Sequence, residues 1–468
     1  MKKTINDIEK YFEKSSIDSN ELRSIYFLGI GGIGMSAIAR YFNSRGIKVS
    51  GYDKTETILT KQLQDEGISV HYEDSIALVD QQADFVVYTP AIPSDHQEYT
   101  FLIENGYVLL KRSEVLALIT KSSFNICVAG THGKTTTSSM VAHILRHSGY
   151  GCNAFLGGIA SNYNTNFWSH TNNVCVIEAD EYDRSFLKLN PDIAIITAMD
   201  PDHLDIYETK KNFSDAFVSF SEKIKKDGLL ICKEGLERFK DFHCSEKVTY
   251  DLSKETTDAY AKNITSINGS YQFDVMIAGI EMEKVKLNMG GLHNIENAIA
   301  AIFVAKKLGI SDVKIKEAIA FFKGVKRRFE YVIKSDQLVM IDDYAHHPSE
   351  LEALIKGVRG LFPGKKCSLV FQPHLYSRTR DFVEGFAYAL SLADEVFLLP
   401  IYPAREKPIK GISSELIVEK MGMEKVVLVS KEELLELLKN KKNTEVLIMA
   451  GAGDIDSLVT PIKNSIIN

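Results

Sequence analysis

The sequence predicts an α/β protein of three domains, each built around a mostly parallel β-sheet. Apolar, partly β-branched runs at residues 25–28 and 124–129 each lead into a glycine-containing turn and then a helical pattern. A fresh alternation of strand-like and helical stretches begins near residue 330. Its strands are expected at about 338–342, 367–371, 395–399, 425–429 and 445–450. The 468 residues also exceed what one ordinary hydrophobic core contains, so several domains are expected.

Composition and charge narrow the class of protein. The 45% of hydrophobic and 25% of charged residues are typical of a globular chain, and no run approaches the ~18 apolar residues of a membrane span. The net charge of −7, without a long basic run, argues against a nucleic-acid partner. Six cysteines are scattered without C-x-x-C spacing, and Cys127 and Cys175 lie in apparent strands, which favours reduced thiols. These features predict a cytoplasmic protein that binds neither nucleic acid nor membrane.

Residues 1–23 form an N-terminal extension with a short predicted helix. Ile5, Ile8 and Phe12 recur at helical spacing. Either a docking segment or a frayed tail has this pattern, and it indicates no function.

The next domain, residues 24–118, opens on a glycine-rich turn. Gly29, Gly31 and Gly34 fit the pattern G-x-G-x-x-G, and the second strand, at 48–52, ends in Asp53. Glycines allow the backbone to approach a diphosphate at a helix N-terminus, and the acidic residue can bind ribose hydroxyls. Close packing of a helix on a strand also selects glycine. The turn predicts a nucleotide-diphosphate site, without indicating which nucleotide.

The central stretch 124–138 predicts a phosphate-binding loop. A buried strand leads to Gly130 and Gly133, and Lys134 and Thr135 then begin a helix that runs to about residue 147. Backbone N–H groups and the positive helix end face phosphates in such a turn, the lysine adds a point charge, and the threonine hydroxyl is placed for Mg²⁺. Val128 departs from the general pattern, which has glycine at that position.

Two further strands of the central domain end in titratable side chains. The strand that begins at Val174 ends in four carboxylates, and the strand that begins at Ile193 ends in acidic residues and a histidine. Carboxyl ends of parallel strands share one sheet edge, so both clusters should face the phosphate loop. Glu178 is the best candidate for a Mg²⁺ ligand and His203 for a second metal. Solvated acidic loops are the alternative.

A helix after Gly290 places His293 and Asn297 four residues apart on one face. The pair suits contact with a nucleotide base, although a capped core helix looks the same. In the last domain, the strands that end near residues 342 and 371 each deliver histidines and other polar groups to one sheet edge, which predicts a ligand site there.

Together these motifs resemble the Mur ligase family, the ATP-dependent enzymes that form amide bonds in peptidoglycan synthesis. The resemblance covers nearly the whole chain after residue 23. Gly-Thr-His-Gly-Lys-Thr-Thr at 130–136 is that family's variant of the phosphate loop, which accounts for Val128. The runs at 29–35, 342–348 and 372–379 are similar to those of the family member that adds L-alanine. The resemblance implies a Rossmann-like UDP-sugar-binding domain at 24–118, a P-loop ATPase domain at 119–328, and a Rossmann-like domain at 329–468 that closes over the site.

Residue roles follow from the resemblance. It assigns to ATP the residues Gly130, Thr131, Gly133, Lys134, Thr135, Thr136, His293, Asn297, Arg328 and Asp343. It assigns to the UDP-sugar and the amino acid Gly31, Gly32, Ile33, Gly34, Asp53, His132, His374 and Arg378. It assigns to magnesium Thr135, Glu178 and His203, and it implies that Lys134, His346 and Arg378 are catalytic, with His346 as the base. Leu375 departs from the family, where a basic residue is common.

The implied reaction joins L-alanine to the carboxylate of UDP-N-acetylmuramate through an acyl phosphate, in a monomer or weak homodimer that uses ATP and Mg²⁺. Three alternatives are open. An NAD-dependent oxidoreductase would use only the glycines at 29–34, and a nucleotide-gated binding protein would hydrolyse ATP without forming a bond. Within the family, a recycling ligase would attach an intact tripeptide to the same UDP-sugar.

Overall fold

The computed structural model describes residues 3–13, 22–201, 204–404, 406–422, 426–441 and 444–467. The chain forms two compact units. The first contains Met1–Tyr260, Met276–Glu281 and Glu296–Ala318. The second contains Ala261–Val275, Met282–Ile295 and Ile319–Asn468. Three mostly parallel sheets carry the α/β architecture that the sequence predicts.

The first sheet has five parallel strands, as expected for a Rossmann-like domain. They are β1 (Ser24–Leu28), β2 (Lys48–Tyr52), β3 (Ser69–His71), β4 (Phe85–Tyr88) and β5 (Leu109–Lys111), in the order β3-β2-β1-β4-β5. The helices are α1 (Ile5–Glu13), α2 (Ile33–Asn43), α3 (Ile58–Asp65), α4 (Gln97–Glu104) and α5 (Arg112–Thr120). The register aligns Leu28 with both Tyr52 and Tyr88, so the turns that follow β1, β2 and β4 open on one edge.

Helix α1 packs into the hydrophobic core of the first unit. Ile8, Tyr11 and Phe12 are buried, and the Phe12 ring meets the Phe42 ring edge to face at 6.2 Å. The helical spacing predicted at the N-terminus is therefore confirmed, and the described part of this helix is docked.

The second sheet has ten strands. They are β6 (Phe124–Ala129), β7 (Asn153–Ala160), β8 (Thr165–Trp168), β9 (Val174–Glu178), β10 (Ile193–Ile196), β11 (Leu229–Lys233), β12 (Glu246–Tyr250), β13 (Ala259–Ile267), β14 (Ser270–Ile277) and β15 (Ile280–Leu287). Their order is β15-β14-β13-β12-β11-β10-β6-β9-β7-β8. The helices are α6 (Lys134–His147), α7 (Leu204–Tyr207), α8 (Lys210–Ser221), α9 (Leu292–Lys307) and α10 (Asp312–Phe321). The run from β12 to β7 is parallel, and β8 pairs with β7 in the antiparallel direction.

The third sheet lies within the second unit. Its strands are β16 (Glu330–Lys334), β17 (Val339–Asp343), β18 (Cys367–Phe371), β19 (Glu395–Leu398), β20 (Val426–Leu428) and β21 (Val446–Ala450), in the order β16-β17-β21-β18-β19-β20. The helices are α11 (Pro348–Leu361), α12 (Tyr376–Asp381), α13 (Val383–Ser391), α14 (Glu415–Met421), α15 (Lys431–Lys439) and α16 (Val459–Ile467). Ala450 aligns with both Asp343 and Phe371, so the loops after β17, β18 and β21 share one edge. The five strands expected in this region are confirmed.

All six cysteines are free, and five of them are buried. Among the described helices, none combines the length and the apolar character needed to cross a bilayer.

Candidate active site

The turn between β6 and α6 has the backbone geometry of a phosphate-binding loop. Gly130 has φ +131° and Gly133 has φ +81°, a region that favours glycine. Gly133 is also the N-cap residue of α6 and has no side chain with which to cap it. The first N–H groups of a 14-residue helix therefore face the loop together with the positive end of its dipole. This arrangement fits an anion such as a phosphate.

Lys134 lies over this loop in a buried ion pair. Its Nζ donates hydrogen bonds to the carbonyl oxygen of Gly130 at 2.7 Å and to Glu181 Oε1 at 2.8 Å. The Lys134 side chain is 14% exposed and that of Glu181 only 1%. Burial raises the pKa of Glu181, and the neighbouring ammonium acts in the opposite direction. A cationic group is therefore held where the predicted phosphates would bind.

Glu178 and Thr135 place two oxygen ligands beside the loop. The register aligns Val128 with Glu178, so this carboxylate ends β9 at the edge where the loop follows β6. Glu178 Oε1 accepts a hydrogen bond from the Thr135 hydroxyl at 3.1 Å, and Oε2 accepts one from the Gly157 N–H at 2.9 Å. Burial raises the pKa of Glu178, whereas the positive charge of Lys134 acts to lower this pKa.

A magnesium ion at this position would take ligands from Thr135 and Glu178, because hard cations prefer oxygen. His203, the other predicted metal ligand, lies outside the described residues. Within the described part of the chain, no group of three or more histidine, cysteine or acidic side chains is arranged to hold a metal by itself. The two oxygen ligands fit an ion that also depends on phosphate and water oxygens, which is usual for Mg²⁺.

A cavity joins this edge to the glycine-rich turn of the first sheet. Its lining includes Ile33 and Gly34 from the start of α2, together with Arg112, Glu178 and Asp180. The Arg112 guanidinium lies 3.6 Å from Asp180 Oδ2. A Cβ atom on Gly34 would come within 2.6 Å of Arg112 Nη1, so a larger residue there would displace the guanidinium from this position.

Sequence reasoning missed Arg112. It directly follows β5, a parallel strand of the sheet whose first strand leads into the glycine turn. A basic residue at the carboxyl end of a parallel strand is the signal that would have identified it.

The glycine turn and Asp53 are brought together as predicted. Gly29 has φ +84°, and the Gly31 N–H donates to Asp53 Oδ2 at 2.7 Å. Gly32 is the N-cap residue of α2. The turn therefore presents the N-terminus of an 11-residue helix beside a carboxylate, the geometry expected for a nucleotide diphosphate and its ribose.

Three other predicted site residues differ in their exposure to solvent. His132 is exposed, with its Nε2 atom 4.0 Å from Asp200 Oδ2. Asn297 is buried on α9, and its Oδ1 accepts a hydrogen bond from the Thr137 hydroxyl at 3.1 Å. His293 is exposed at the start of α9. The Asn297 amide thus supports the helix of the phosphate loop in this structure.

In the second unit, Asp343 organises the segment that contains Arg328. Asp343 Oδ2 accepts from the Phe329 N–H and Oδ1 from the Ala345 N–H, both at 2.7 Å. Burial raises the pKa of Asp343 to about 6, against these two hydrogen bonds. The Arg328 guanidinium lies 5.5 Å from the centre of the Tyr344 ring.

His346, His374 and Arg378 form a second cluster in that unit. The two histidine rings meet edge to face at 5.9 Å, and Arg378 Nη1 lies 3.4 Å from His374 Nδ1. His346 Nδ1 lies 2.9 Å from the Tyr344 carbonyl oxygen, which can only accept, so Nδ1 carries the proton and Nε2 is the basic atom. Burial lowers the pKa of both histidines, that of His374 to about 4.

Leu375 departs from regular backbone geometry in the loop that carries this cluster. Its φ is +72°, a strained value for a residue with a side chain, and its N–H donates to the Tyr402 carbonyl at 2.9 Å. The Tyr402 ring stacks on His374 at 5.8 Å. Tyr402 therefore adjoins the cluster, and sequence reasoning did not identify this tyrosine.

Comparisons with known proteins agree with this geometry. Models of the Mur ligase family match at 24–123 (family catalytic domain), 128–305 (middle domain) and 327–453 (glutamate ligase domain). The UDP-N-acetylmuramate–L-alanine ligase of Cytophaga hutchinsonii is 50% identical over 451 residues, which are 94% of this chain and 96% of the relative. The crystal structure of the UDP-N-acetylmuramate–alanine ligase from Thermotoga maritima has a TM-score of 0.81 at 30% identity, covering 94% of this chain and 98% of that one.

A murein peptide ligase from Psychrobacter arcticus shares the fold with a TM-score of 0.66 at 21% identity, covering 95% of this chain and 99% of that one. On the family models and the relatives, the chain belongs to the Mur ligase family.

Proposed function

We propose that this protein is an ATP-dependent ligase that joins L-alanine to the carboxylate of UDP-N-acetylmuramate. The observation that carries the proposal is the cavity that contains both Gly34 of the nucleotide-sugar turn and Glu178 of the phosphate-loop edge. A sugar nucleotide held by the turn can extend its carboxylate toward a phosphate held by the loop. The 50% identity to a ligase with this name supports the substrate assignment.

The chemistry follows from an energetic obstacle. A carboxylate is a poor electrophile for an amine, because its leaving group would be oxide. Transfer of the γ-phosphoryl group of ATP to the UDP-N-acetylmuramate carboxylate gives an acyl phosphate, from which phosphate can leave. The alanine amine then attacks the acyl carbon, the amide bond forms, and ADP and phosphate are released. Two anions meet in the first step, so positive charge must be present before they approach.

Lys134 supplies that charge at the phosphate loop, since its ammonium already lies 2.7 Å from the Gly130 carbonyl. The α6 N-terminus adds the partial positive charge of its dipole. Thr135 and Glu178 would hold Mg²⁺, which supplies further charge neutralisation at the phosphates. Arg112 lies in the shared cavity and is assigned to the UDP-N-acetylmuramate anion.

The amino-acid role is assigned to the His346, His374 and Arg378 cluster. Arg378 can hold the alanine carboxylate with two parallel hydrogen bonds. The alanine ammonium must lose a proton before it attacks, and His346 Nε2 is the unprotonated imidazole atom available to accept it. Arg328, which precedes β16, and Asp343, which ends β17, are assigned to ATP.

The relatives favour alanine addition over tripeptide recycling, because the L-alanine ligase of Cytophaga hutchinsonii is 50% identical to this chain and the peptide ligase of Psychrobacter arcticus only 21%. The oxidoreductase alternative leaves Lys134 and Glu178 without a role, and the family assignment contradicts it. We place the reaction in the cytoplasm, where the six free thiols would remain reduced.

The test is phosphate release from ATP by the full-length protein with each substrate omitted in turn. Release that requires both UDP-N-acetylmuramate and L-alanine is expected. Release that continues without the amino acid would indicate the nucleotide-gated binding protein, and release only with a tripeptide would indicate the recycling ligase.

A further inference from the structure

Two carboxylates, one at the end of β9 and one in the loop after it, have different partners. Glu178 accepts hydrogen bonds from Thr135 and Gly157. Glu181 instead pairs with Lys134, whose Nζ lies 2.8 Å from Oε1 and 2.7 Å from Oε2. Glu178 fits the role of a metal ligand, whereas the proposed reaction assigns no role to Glu181.

The position of Glu181 is fixed by its surroundings. Its carbonyl oxygen accepts a hydrogen bond from the Tyr207 hydroxyl at 2.6 Å, and Tyr207 is fully buried. Asp183 and Arg184, which follow Tyr182 in the same loop, have φ values of 51° and 54°, which are strained for residues with side chains. Such strain persists only where the surrounding structure imposes it. The surrounding structure therefore holds the Glu181 carboxylate in one position, beside Lys134.

The phosphates of a bound nucleotide would compete with Glu181 for the positive charge of Lys134. The ammonium has three N–H donors, of which Gly130 and Glu181 already accept two, so phosphate oxygens must share it with Glu181 or draw it away, and a buried ion pair is costly to break. Once Lys134 turns to a phosphate, the Glu181 carboxylate remains buried beside new negative charge. Both effects oppose nucleotide binding.

We infer that Glu181 is a positioning residue that acts through Lys134, holding the ammonium over the phosphate loop and competing with the nucleotide phosphates for it. The inference rests on the proposed ATP role of this loop. The Glu181 carboxylate thereby lowers the affinity of the protein for ATP and ADP, and it favours release of ADP after each turnover. A carboxylate that only stabilised the fold would not oppose the nucleotide.

The test is the dissociation constant of the full-length protein for ATP and for ADP, measured by titration calorimetry with Mg²⁺ and without the other substrates. Glu181→Gln keeps the shape of the side chain but removes its charge. Because hydrogen bonds to charged groups contribute ~1.5–3 kcal/mol, both nucleotides should bind about 10- to 100-fold more tightly. In a protein that already carries Lys134→Met, Glu181→Gln should tighten nucleotide binding much less, because the ammonium for which carboxylate and phosphate compete is absent.

Asp192→Asn is the matched control. Asp192 also pairs with a lysine, Lys225 at 2.7 Å, but lies before β10 at the opposite end of the strand from the loop. Asp192→Asn should leave the dissociation constants for ATP and ADP unchanged. If Glu181→Gln does not fold, Glu181→Asp, which withdraws the carboxylate by one methylene, should tighten binding by a smaller factor.

Unchanged or weaker nucleotide binding in Glu181→Gln, or in Glu181→Asp where that variant is used, would overturn the inference. Absence of ATP binding by the wild-type protein would instead contradict the proposed function.

Discussion

The Thr135 hydroxyl donates a hydrogen bond to Glu178 Oε1 at 3.1 Å, which joins the first turn of α6 to the end of β9. These oxygens come from residues 43 positions apart in the chain and meet because β6 and β9 are parallel neighbours. The pair forms a two-oxygen site at the mouth of the phosphate loop. Thr135 and Glu178 would hold a cation there, and it would supply positive charge beside the loop.

Glu178→Gln should raise the Mg²⁺ concentration needed for half-maximal activity, because a neutral amide replaces an anionic ligand. The measurement is a magnesium titration of phosphate release at saturating substrates. Asp192→Asn, away from the loop, serves as the control. A titration of Glu178→Gln that superimposes on that of the wild type would show that this carboxylate is not a metal ligand.

Arg112→Ala should raise the KM for UDP-N-acetylmuramate about 10- to 100-fold, because a hydrogen bond between two charged groups is lost. The KM for ATP should change much less. Arg238→Ala is the control, since Arg238 also forms ion pairs, with Asp215 and Asp241, but at the surface. Equal effects of the Arg112 substitution on the two KM values would contradict the assignment to the sugar nucleotide.

Arg378→Ala should weaken the use of L-alanine far more than the binding of ATP, because a bidentate contact to the amino-acid carboxylate is removed. Arg380 lies on the same helix, is half exposed and pairs with Asp381 at 2.7 Å. Arg380→Ala should therefore leave the KM for L-alanine near its wild-type value. Similar KM values for L-alanine in the two variants would argue against Arg378 as the carboxylate ligand.

Asp342 predicts a pH dependence of stability in the second unit. Burial raises the pKa of Asp342 to about 7, although Arg327 opposes this, whereas an unfolded aspartate has a pKa of about 3.9. Between these values the folded state binds more protons, so the free energy of unfolding falls as the pH rises. Asp342→Asn removes this titration, and the loss of stability between pH 5 and pH 8 should become smaller.

Calorimetric melting at pH 5 and pH 8 measures the difference. The gap between the two melting temperatures should narrow in Asp342→Asn by roughly 2–4 °C for each kcal/mol of pH dependence removed. Asp456→Asn is the control, because Asp456 faces the same Arg327, at 3.5 Å, but is 45% exposed. An equal gap in Asp342→Asn and the wild type would show that Asp342 is ionised at both pH values.

Several parallel strands were predicted from the sequence, because buried parallel strands are continuous apolar runs that end in glycine or acidic residues. The parallel strands β3, β11 and β12 were not predicted. Strands β2, β6 and β18 have the predicted boundaries. The antiparallel pair β7 and β8 was missed, since β7 contains two consecutive glycines and β8 has only four residues. Neither strand shows the regular alternation of apolar and polar residues by which a single sequence identifies a hairpin.

The predicted residues of the phosphate loop and the glycine turn are next to the strands that carry them, so chain order alone places them. The partners of those residues are set by tertiary structure. Arg112 reaches Gly34 across the first sheet, and Glu181 reaches Lys134 from a strained loop. Such contacts depend on sheet order and loop backbone angles, which the pattern of apolar and polar residues does not encode.

The most direct test of the proposed function is a competition between amine substrates, with the products resolved by mass. The full-length protein is given ATP, Mg²⁺ and UDP-N-acetylmuramate with equal concentrations of L-alanine and L-alanyl-γ-D-glutamyl-diaminopimelate. We predict that UDP-N-acetylmuramoyl-L-alanine forms almost exclusively, with one ADP released for each amide bond. A dominant tripeptide product, or ADP release without either amide product, would contradict the account.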